Sequence, residues 1–306
     1  MDSLVSWMKQ VPFIGEIFAL MTAFIWAVAV IFFKKSGETV HPIMLNLFKN
    51  SLASVCILIT MLVLGIPLFP DVPGHYYIIL IIAGALGIGI ADTLFFVSLN
   101  HLGASISAIV ACTYSPSMII LSIAFLGEKI TALQIAGTSL IIMAFILTAN
   151  RRKIMHISKN DLRIGITTGI LSQVIMAIGV IMTKRILDLQ NLLWTSEVRF
   201  VGGLAILVII TIFHPNRKNI VKSLFGGHKW TYTIAGSFAG AYMALVLWLA
   251  GMKYARVSIA AVLNQTSEIF IFILAAIFLN EAITKDKTIA IILAFIGAVF
   301  VTISHM

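Results

Sequence analysis

The sequence predicts an all-α membrane protein with ten transmembrane helices, arranged as two inverted repeats of five helices each. Three observations lead to this prediction: the composition, the length of the apolar segments, and the similarity between the two halves of the chain. Of the 306 residues, 60% are hydrophobic and only 11% are charged, whereas a soluble domain averages about 25% charged residues. So few charges cannot cover the apolar surface of a protein this size. Lipid is therefore the solvent that suits the chain, which argues against a water-soluble enzyme.

Ten segments have the length and apolarity of a membrane-spanning helix, which needs about 20 mostly apolar residues. Pro67 and Pro70 close the second segment, and a basic connector that begins with Arg151 follows the fifth. Backbone polar groups in lipid must be satisfied within their own segment, so we predict helices rather than strands. In chain order, the segments span residues 14–33, 43–64, 76–99, 104–126, 131–149, 164–183, 193–213, 230–252, 257–279 and 288–303.

The second half of the chain repeats the first. A shift of 150 residues places Lys49 on Arg199, and a shift of 153 places residues 127–131 on residues 280–284. We therefore predict one five-helix repeat over residues 13–150 and another over residues 162–304. Because five is an odd number of crossings, the second repeat enters the membrane from the opposite side. Inverted repeats are an architecture of transporters, with the substrate site near the midplane between them.

The charged residues and cysteines indicate which binding partners and cofactors to expect. The net charge is +9, but the basic residues lie between apolar runs, as is typical of charges that orient helices and contact anionic lipid. No basic stretch is interleaved with exposed aromatics, as single-strand binding requires. We therefore expect the lipid bilayer as a partner and no nucleic acid. Cys56 and Cys112 lie inside apolar runs, and the histidines are scattered, so we predict no disulfide framework, metal site or cofactor.

Short motifs at the helix ends resemble a known family. They are Trp26 followed by Lys34 and Lys35, Pro42 with Lys49, Ser115-Pro116, and Leu126-Gly127-Glu128-x-Ile-Thr before Gln134 and Gly137. With these motifs, the chain resembles the drug/metabolite transporter superfamily in its ten-helix form with two EamA-type domains. The resemblance implies a multi-pass carrier of the cell inner membrane, not an enzyme, that moves a small metabolite such as an amino acid by alternating access. It leaves the solute, the direction and the coupling ion open.

Glu268 is the strongest candidate for a functional side chain. It lies 11 residues from either end of the ninth segment, about 16 Å deep at 1.5 Å per residue. A charge at that depth costs at least about 2.5 kcal/mol, so Glu268 must face the interior of the bundle. Because burial favours the neutral carboxyl, it would release a proton when wetted; alternatively, it holds the ammonium of a substrate. A structural reading, in which the neutral acid bonds two helices, stays open.

Other polar residues inside the segments extend the predicted substrate site. Asn264 and Gln265 precede Glu268 on its helix and either line the cavity or bond neighbouring helices. Asp92 is a second buried carboxylate, with Lys49 or Lys184 as its partner and either a structural or a substrate role.

Trp26, Tyr114, Gln173 and Tyr242 add aromatic or polar surface to this predicted cavity, although such rings more often pack or form the aromatic belt. Lys49 and Arg199, near the starts of the second and seventh segments, are expected to extend to the headgroups.

The sequence leaves alternatives open for the orientation in the membrane and for the class of function. The Lys and Arg count in the connectors is higher on the face opposite the termini, which puts both termini outside, whereas the resemblance puts both in the cytoplasm. A polytopic membrane enzyme is one rival, but it would need catalytic polar residues clustered at one membrane face. A non-transporting scaffold or sensor is another, and it needs no central acid. A small-molecule substrate is expected, with the protein a monomer or a homodimer.

Overall fold

The computed structural model describes residues 13–126, 131–150, 157–226, 230–254 and 263–303, and every regular element within these ranges is a helix. In chain order, the elements are α1 (Ile14–Ser36), α2 (Pro42–Val63), α3 (Gly74–Gly84), π1 (Ala85–Ala91), α4 (Asp92–Leu102), α5 (Ala104–Ala111), α6 (Tyr114–Leu126), α7 (Ala132–Asn150), α8 (Lys159–Leu189), α9 (Leu192–Phe213), α10 (Arg217–Phe225), α11 (Trp230–Ser237), π2 (Phe238–Met243), α12 (Ala244–Tyr254), α13 (Ser267–Leu279) and α14 (Lys285–Ile303). Elements π1 and π2 are π-helical.

Seven stretches of the described residues are long and apolar enough to cross a membrane. They are α1, α2, Gly74–Leu102, Ala104–Leu121, α8, α9 and Trp230–Gly251. Two shorter apolar helices, Ala132–Ala144 and Leu263–Leu279, fall on the predicted fifth and ninth segments. The predicted ninth segment begins at residue 257, so its start lies outside the described residues. The prediction of an all-α membrane protein is confirmed.

The predicted third and eighth segments each contain a π-helix at the same point of the repeat. Moving Ala85, the first residue of π1, forward by 153 positions gives Phe238, the first residue of π2. A π-helical turn inserts an extra residue and displaces backbone carbonyls from their ordinary partners. Asn46 of α2 bonds two carbonyls of π1, because its amide donates to Ile88 O at 2.8 Å and to Gly89 O at 3.0 Å.

The fourth and ninth segments are also broken at matching positions. Thr113 and Thr266, which are 153 residues apart, each use the hydroxyl and the backbone N–H to bond the carbonyl three residues earlier. Pro116 has no N–H to donate to the preceding turn, which contributes to the break between α5 and α6. The break before Glu268 has no proline and rests on Thr266.

Glycines bring the helices of the two halves into close contact. A Cβ at Gly165 would lie 2.4 Å from the Leu102 side chain, and one at Gly240 would lie 2.8 Å from Ala29 Cβ. Only a residue without a side chain allows the helices to approach this closely at these two positions. The tightest approach is elsewhere, since a Cβ at Gly84 would lie 1.9 Å from the carbonyl oxygen of Arg199. Helix α9 therefore rests directly on the end of α3.

Helix α10 is an element that the sequence analysis did not predict. Ile220 and Leu224 are buried against the protein, whereas Arg217, Lys218 and Lys222 are exposed. This is the pattern of a helix lying in the membrane interface. It is tied to the first repeat, because Ser223 Oγ accepts from the backbone N–H of His41 at 3.0 Å.

Candidate functional site

A cavity of about 440 Å³ lies in the middle of the bundle and is lined from both halves of the chain. Among the described residues, two basic and two acidic side chains line it: Lys49 of α2, Arg199 of α9, Asp92 at the start of α4 and Glu268 of α13. Aromatic rings and aliphatic side chains supply most of the remaining wall. A cavity of this size, largely apolar with a few polar groups, has the character of a small-molecule site.

The cavity brings together seven of the eight side chains predicted to bind substrate. They are Trp26, Asp92, Tyr114, Gln173, Asn264, Gln265 and Glu268. Tyr242 is the exception: its ring packs on Phe238, and its hydroxyl hydrogen-bonds Thr60 Oγ1 at 2.8 Å. Its neighbours Ala241 and Ala244 form the lining instead, because Tyr242 projects from a different side of π2.

Glu268 lies in the first turn of α13, immediately after the break at Thr266. Its side chain is buried, and its Oε2 atom has no hydrogen-bond partner among the described residues. The part of the chain that the structure describes also offers it no ion pair within 4.0 Å. Buried polar atoms are normally bonded, so Glu268 is a group with unused bonding capacity at the cavity wall.

Gln265 connects the two broken helices. Its Nε2 donates to Ser115 Oγ at 3.0 Å. Ser115 does not itself line the cavity, but it is the residue that a shift of 153 places on Glu268. One repeat therefore has a hydroxyl, and the other a carboxyl, at this equivalent position. The hydrogen bond of Gln265 joins the two positions across the repeats.

Lys49 does not extend to the headgroups as predicted. Its side chain is 5% exposed and forms an ion pair with Asp92, whose side chain is 17% exposed. The ammonium also lies 5.4 Å from the centre of the Phe96 ring, within range of a cation–π interaction. Of the two partners predicted for Asp92, the structure pairs it with Lys49. Lys184 is exposed. The Lys49 side chain can point inward because its charge and that of Asp92 each offset the desolvation of the other.

Arg199 also points into the cavity rather than to the headgroups. Its electrostatic neighbours are Tyr114 and Asp92, but it forms no hydrogen bond with any described residue, and its Nε is buried without a partner. A Cβ at Gly87 would lie 3.5 Å from Arg199 Nη2, so the guanidinium lies beside π1. The close contact of α9 with Gly84 holds it there.

The sequence analysis also missed Asn50 and Ser107, which line the cavity with side-chain oxygens that lack partners among the described residues. A signal for Asn50 was present, because Asn46, Lys49 and Asn50 lie three and four residues apart and share one face of a helix. A helix with three polar residues on one face in a membrane turns that face inward.

The EamA-like transporter family matches residues 13–150 and 163–303 of the chain. The protein belongs to this family. No curated protein matches the sequence. A solved structure whose title reads only "Crystal structure of protein" superposes with a TM-score of 0.63, at 16% identity over 94% of each chain. At this identity the likeness shows the fold alone.

Membership of the EamA-like family makes this a multi-pass membrane protein of a transporter family rather than of an enzyme family. It also implies a small-molecule substrate and a lipid bilayer. The cavity gives this EamA-like protein the groups that solute binding requires: a carboxyl, a guanidinium, amides and aromatic faces. The arrangement can accept and donate hydrogen bonds at both ends of a small polar solute.

Proposed function

We propose that the protein is a secondary carrier of the cell inner membrane that moves a small metabolite by alternating access through the central cavity. The observation that carries this proposal is the cavity wall itself. Asn50, Ser107, Arg199 and Glu268 each present a buried polar atom that no described residue satisfies. Such atoms are costly to keep unless something bonds them during function. A polar solute that enters the cavity supplies those bonds.

We propose ten crossings in two inverted repeats. Contacts at one face support this arrangement. Lys34, near the end of α1, donates to the carbonyl of Asn100 at 2.9 Å, and His101 bonds Asp161, near the start of α8, at 2.8 Å. The end of the first helix of one repeat and the start of the first helix of the other thus lie near one another, which supports opposite insertion.

The same face is held together by a contact between the repeats. The carboxylate of Glu281, between α13 and α14, accepts from the backbone N–H groups of Ala104 at 2.6 Å and Ser105 at 3.0 Å. These are orphan amides at the start of α5, which a carboxylate satisfies well. We propose that this contact closes one face and separates when the repeats rock.

The irregular helices support movement about the cavity. Elements π1 and π2 and the breaks at Thr113 and Thr266 lie at equivalent points of the two repeats, next to residues that line the wall. Discontinuous helices at the midplane are typical of carriers, because they supply free backbone groups and points of flexion. We propose that the solute site lies between these four irregular points.

We propose two roles for Glu268, coupling to a proton or holding the ammonium of the solute. Its burial and lack of a cationic partner among the described residues favour the neutral acid when the cavity is dry. Entry of water or of a cationic group favours the charged form. In either event Glu268 releases one proton, which is the behaviour that proton-coupled transport needs.

A proteoliposome screen tests the proposal. Purified protein would be reconstituted and tested for uptake of amino acids, amines and nucleosides with and without a proton gradient. The proposal predicts saturable uptake of one class, and loss of proton coupling in Glu268→Gln. Glu38→Gln is the matched control, because Glu38 is an exposed acid far from the cavity wall. Coupled transport that is unchanged in Glu268→Gln would remove Glu268 from the mechanism.

A further inference from the structure

We infer that Arg199 binds an anionic group of the solute, and that the carrier therefore takes carboxylate-bearing solutes in preference to simple amines. The inference rests on the proposed function and narrows its substrate class. It starts from a guanidinium in the cavity wall that the protein itself leaves without hydrogen bonds to described residues. The sequence analysis did not include Arg199 in the site.

The position of Arg199 excludes a headgroup role. It lies seven residues after Leu192, the first residue of α9, which is about 10 Å along the helix. Its backbone carbonyl packs on Gly84, and its Nη2 lies beside Gly87 and Met176. These contacts direct the side chain across π1 into the cavity. A long side chain directed this way does not reach the membrane surface.

Among the described residues, the charges of the cavity leave Arg199 without a counterion of its own. Asp92 is the anionic neighbour of Arg199, but it is already paired with Lys49. Glu268 is on α13, which packs against α1 and α5, whereas α9 packs against α2, α3 and π1. With Glu268 neutral, the two acidic and two basic side chains of the described lining sum to one positive charge, which belongs to Arg199.

A guanidinium in this situation selects for a planar anion. It offers donors in a rigid fork that matches a carboxylate, and it cannot be neutralised by losing a proton. A simple amine offers no anion and would leave Arg199 without a partner. An amino acid supplies a carboxylate for Arg199 and, in the proposed function, an ammonium for Glu268. We therefore assign Arg199 as the residue that binds the carboxylate.

Matched solutes test this assignment in the wild-type protein. L-phenylalanine, 3-phenylpropionate and phenethylamine share one ring and differ in their charged groups, and L-leucine, 4-methylpentanoate and isopentylamine form a second set. Uptake into proteoliposomes is measured by competition within each set. The inference predicts that carboxylate-bearing members compete at least tenfold better than the amines. Equal or better competition by the amines would overturn it.

Variants separate this inference from the broader proposal. Arg199→Gln is expected to weaken carboxylate uptake about 10- to 100-fold, the loss typical of a charge-assisted hydrogen bond, and to abolish the preference over amines. Arg199→Lys keeps the charge without the fork and is expected to fall between. Lys184→Gln, which removes an exposed cation, is the control with unchanged uptake.

The wild-type comparison needs no variant, so misfolding of Arg199→Gln leaves the inference open to refutation. Unchanged preference in a folded Arg199→Gln protein would overturn the inference alone. Absence of uptake for both solute sets by the wild-type protein would overturn the inference, whereas absence of uptake for every class in the proteoliposome screen would overturn the proposed function as well.

Discussion

The buried ion pair between Lys49 and Asp92 provides a quantitative test of the site. Removal of one partner of a buried pair typically costs about 3–5 kcal/mol, because the other charge remains desolvated. The two changes should not cost the same. Asp92→Asn leaves two cations, Lys49 and Arg199, without their anion. Lys49→Met leaves Asp92 with Arg199 as a remaining neighbour.

We therefore expect Asp92→Asn to lower the free energy of unfolding by about 3 kcal/mol or more, and Lys49→Met by about 2 kcal/mol. The double variant Lys49→Met/Asp92→Asn should recover at least about 1 kcal/mol relative to Asp92→Asn, because no lone charge of the pair remains. The assay is reversible unfolding in mixed micelles, followed by tryptophan fluorescence.

A matched control comes from an exposed ion pair. Lys35 and Glu38 are 3.9 Å apart, with side chains 34% and 55% exposed. Loss of such a pair changes stability by less than about 1 kcal/mol. The reasoning about the cavity would be refuted if Asp92→Asn cost no more than Lys35→Met, or if the double variant were less stable than both single variants.

Three further predictions concern packing, the contact between the repeats, and a titrating cap. Gly84→Ala should lower stability by about 1–3 kcal/mol, because its Cβ would lie 1.9 Å from a carbonyl of α9, whereas Gly87→Ala, with 3.5 Å of space, should not; thermal unfolding measures both. Glu281→Gln should speed hydrogen exchange of the first two amides of α5 about tenfold. His41 Nδ1 caps α2, and burial, with the charge of His214 second, lowers the pKa of His41. The unfolded state then binds more protons, so stability should fall as pH drops through about 6.5, and His41→Asn should flatten this slope.

Each of these predictions has a contrary result. Equal stability of the two alanine variants would mean that α9 does not rest on α3. Unchanged exchange in Glu281→Gln would mean that the capping contact is absent in the membrane. A pH slope that persists in His41→Asn would place the titrating group elsewhere.

The parts of the fold set by composition and periodicity were predictable from the sequence. Lipid demands long apolar helices, so the positions of the spans followed from their length. The repeat was visible in matched residues such as Lys49 and Arg199. The π-helices were not predictable, because a glycine-rich apolar run such as that of π1 is compatible with a regular helix too. In the structure, two carbonyls of π1 are bonded by Asn46 of another helix, a partner that the local sequence does not reveal.

The candidate site was predictable for residues whose depth in the membrane alone determines that they face inward. Glu268 and Asp92 lie too deep to face lipid, so they had to face inward. Lys49 and Arg199 lie near helix starts, where a long side chain reaches either the headgroups or the interior. Sequence does not distinguish these directions, because the choice depends on what the neighbouring helix presents. Tyr242 does not line the cavity as predicted, because the π2 turn changes which residues face the cavity.

The central claim is that one cavity, shared by two oppositely inserted repeats, is reached from each face of the membrane in turn. Ala111 lines this cavity and provides the test. In a protein with Cys56 and Cys112 replaced, Ala111→Cys would be treated with a membrane-impermeant maleimide in vesicles of both orientations. We predict labelling from either side, with transported solute slowing it on both. Labelling from one side only, with or without solute, would contradict alternating access.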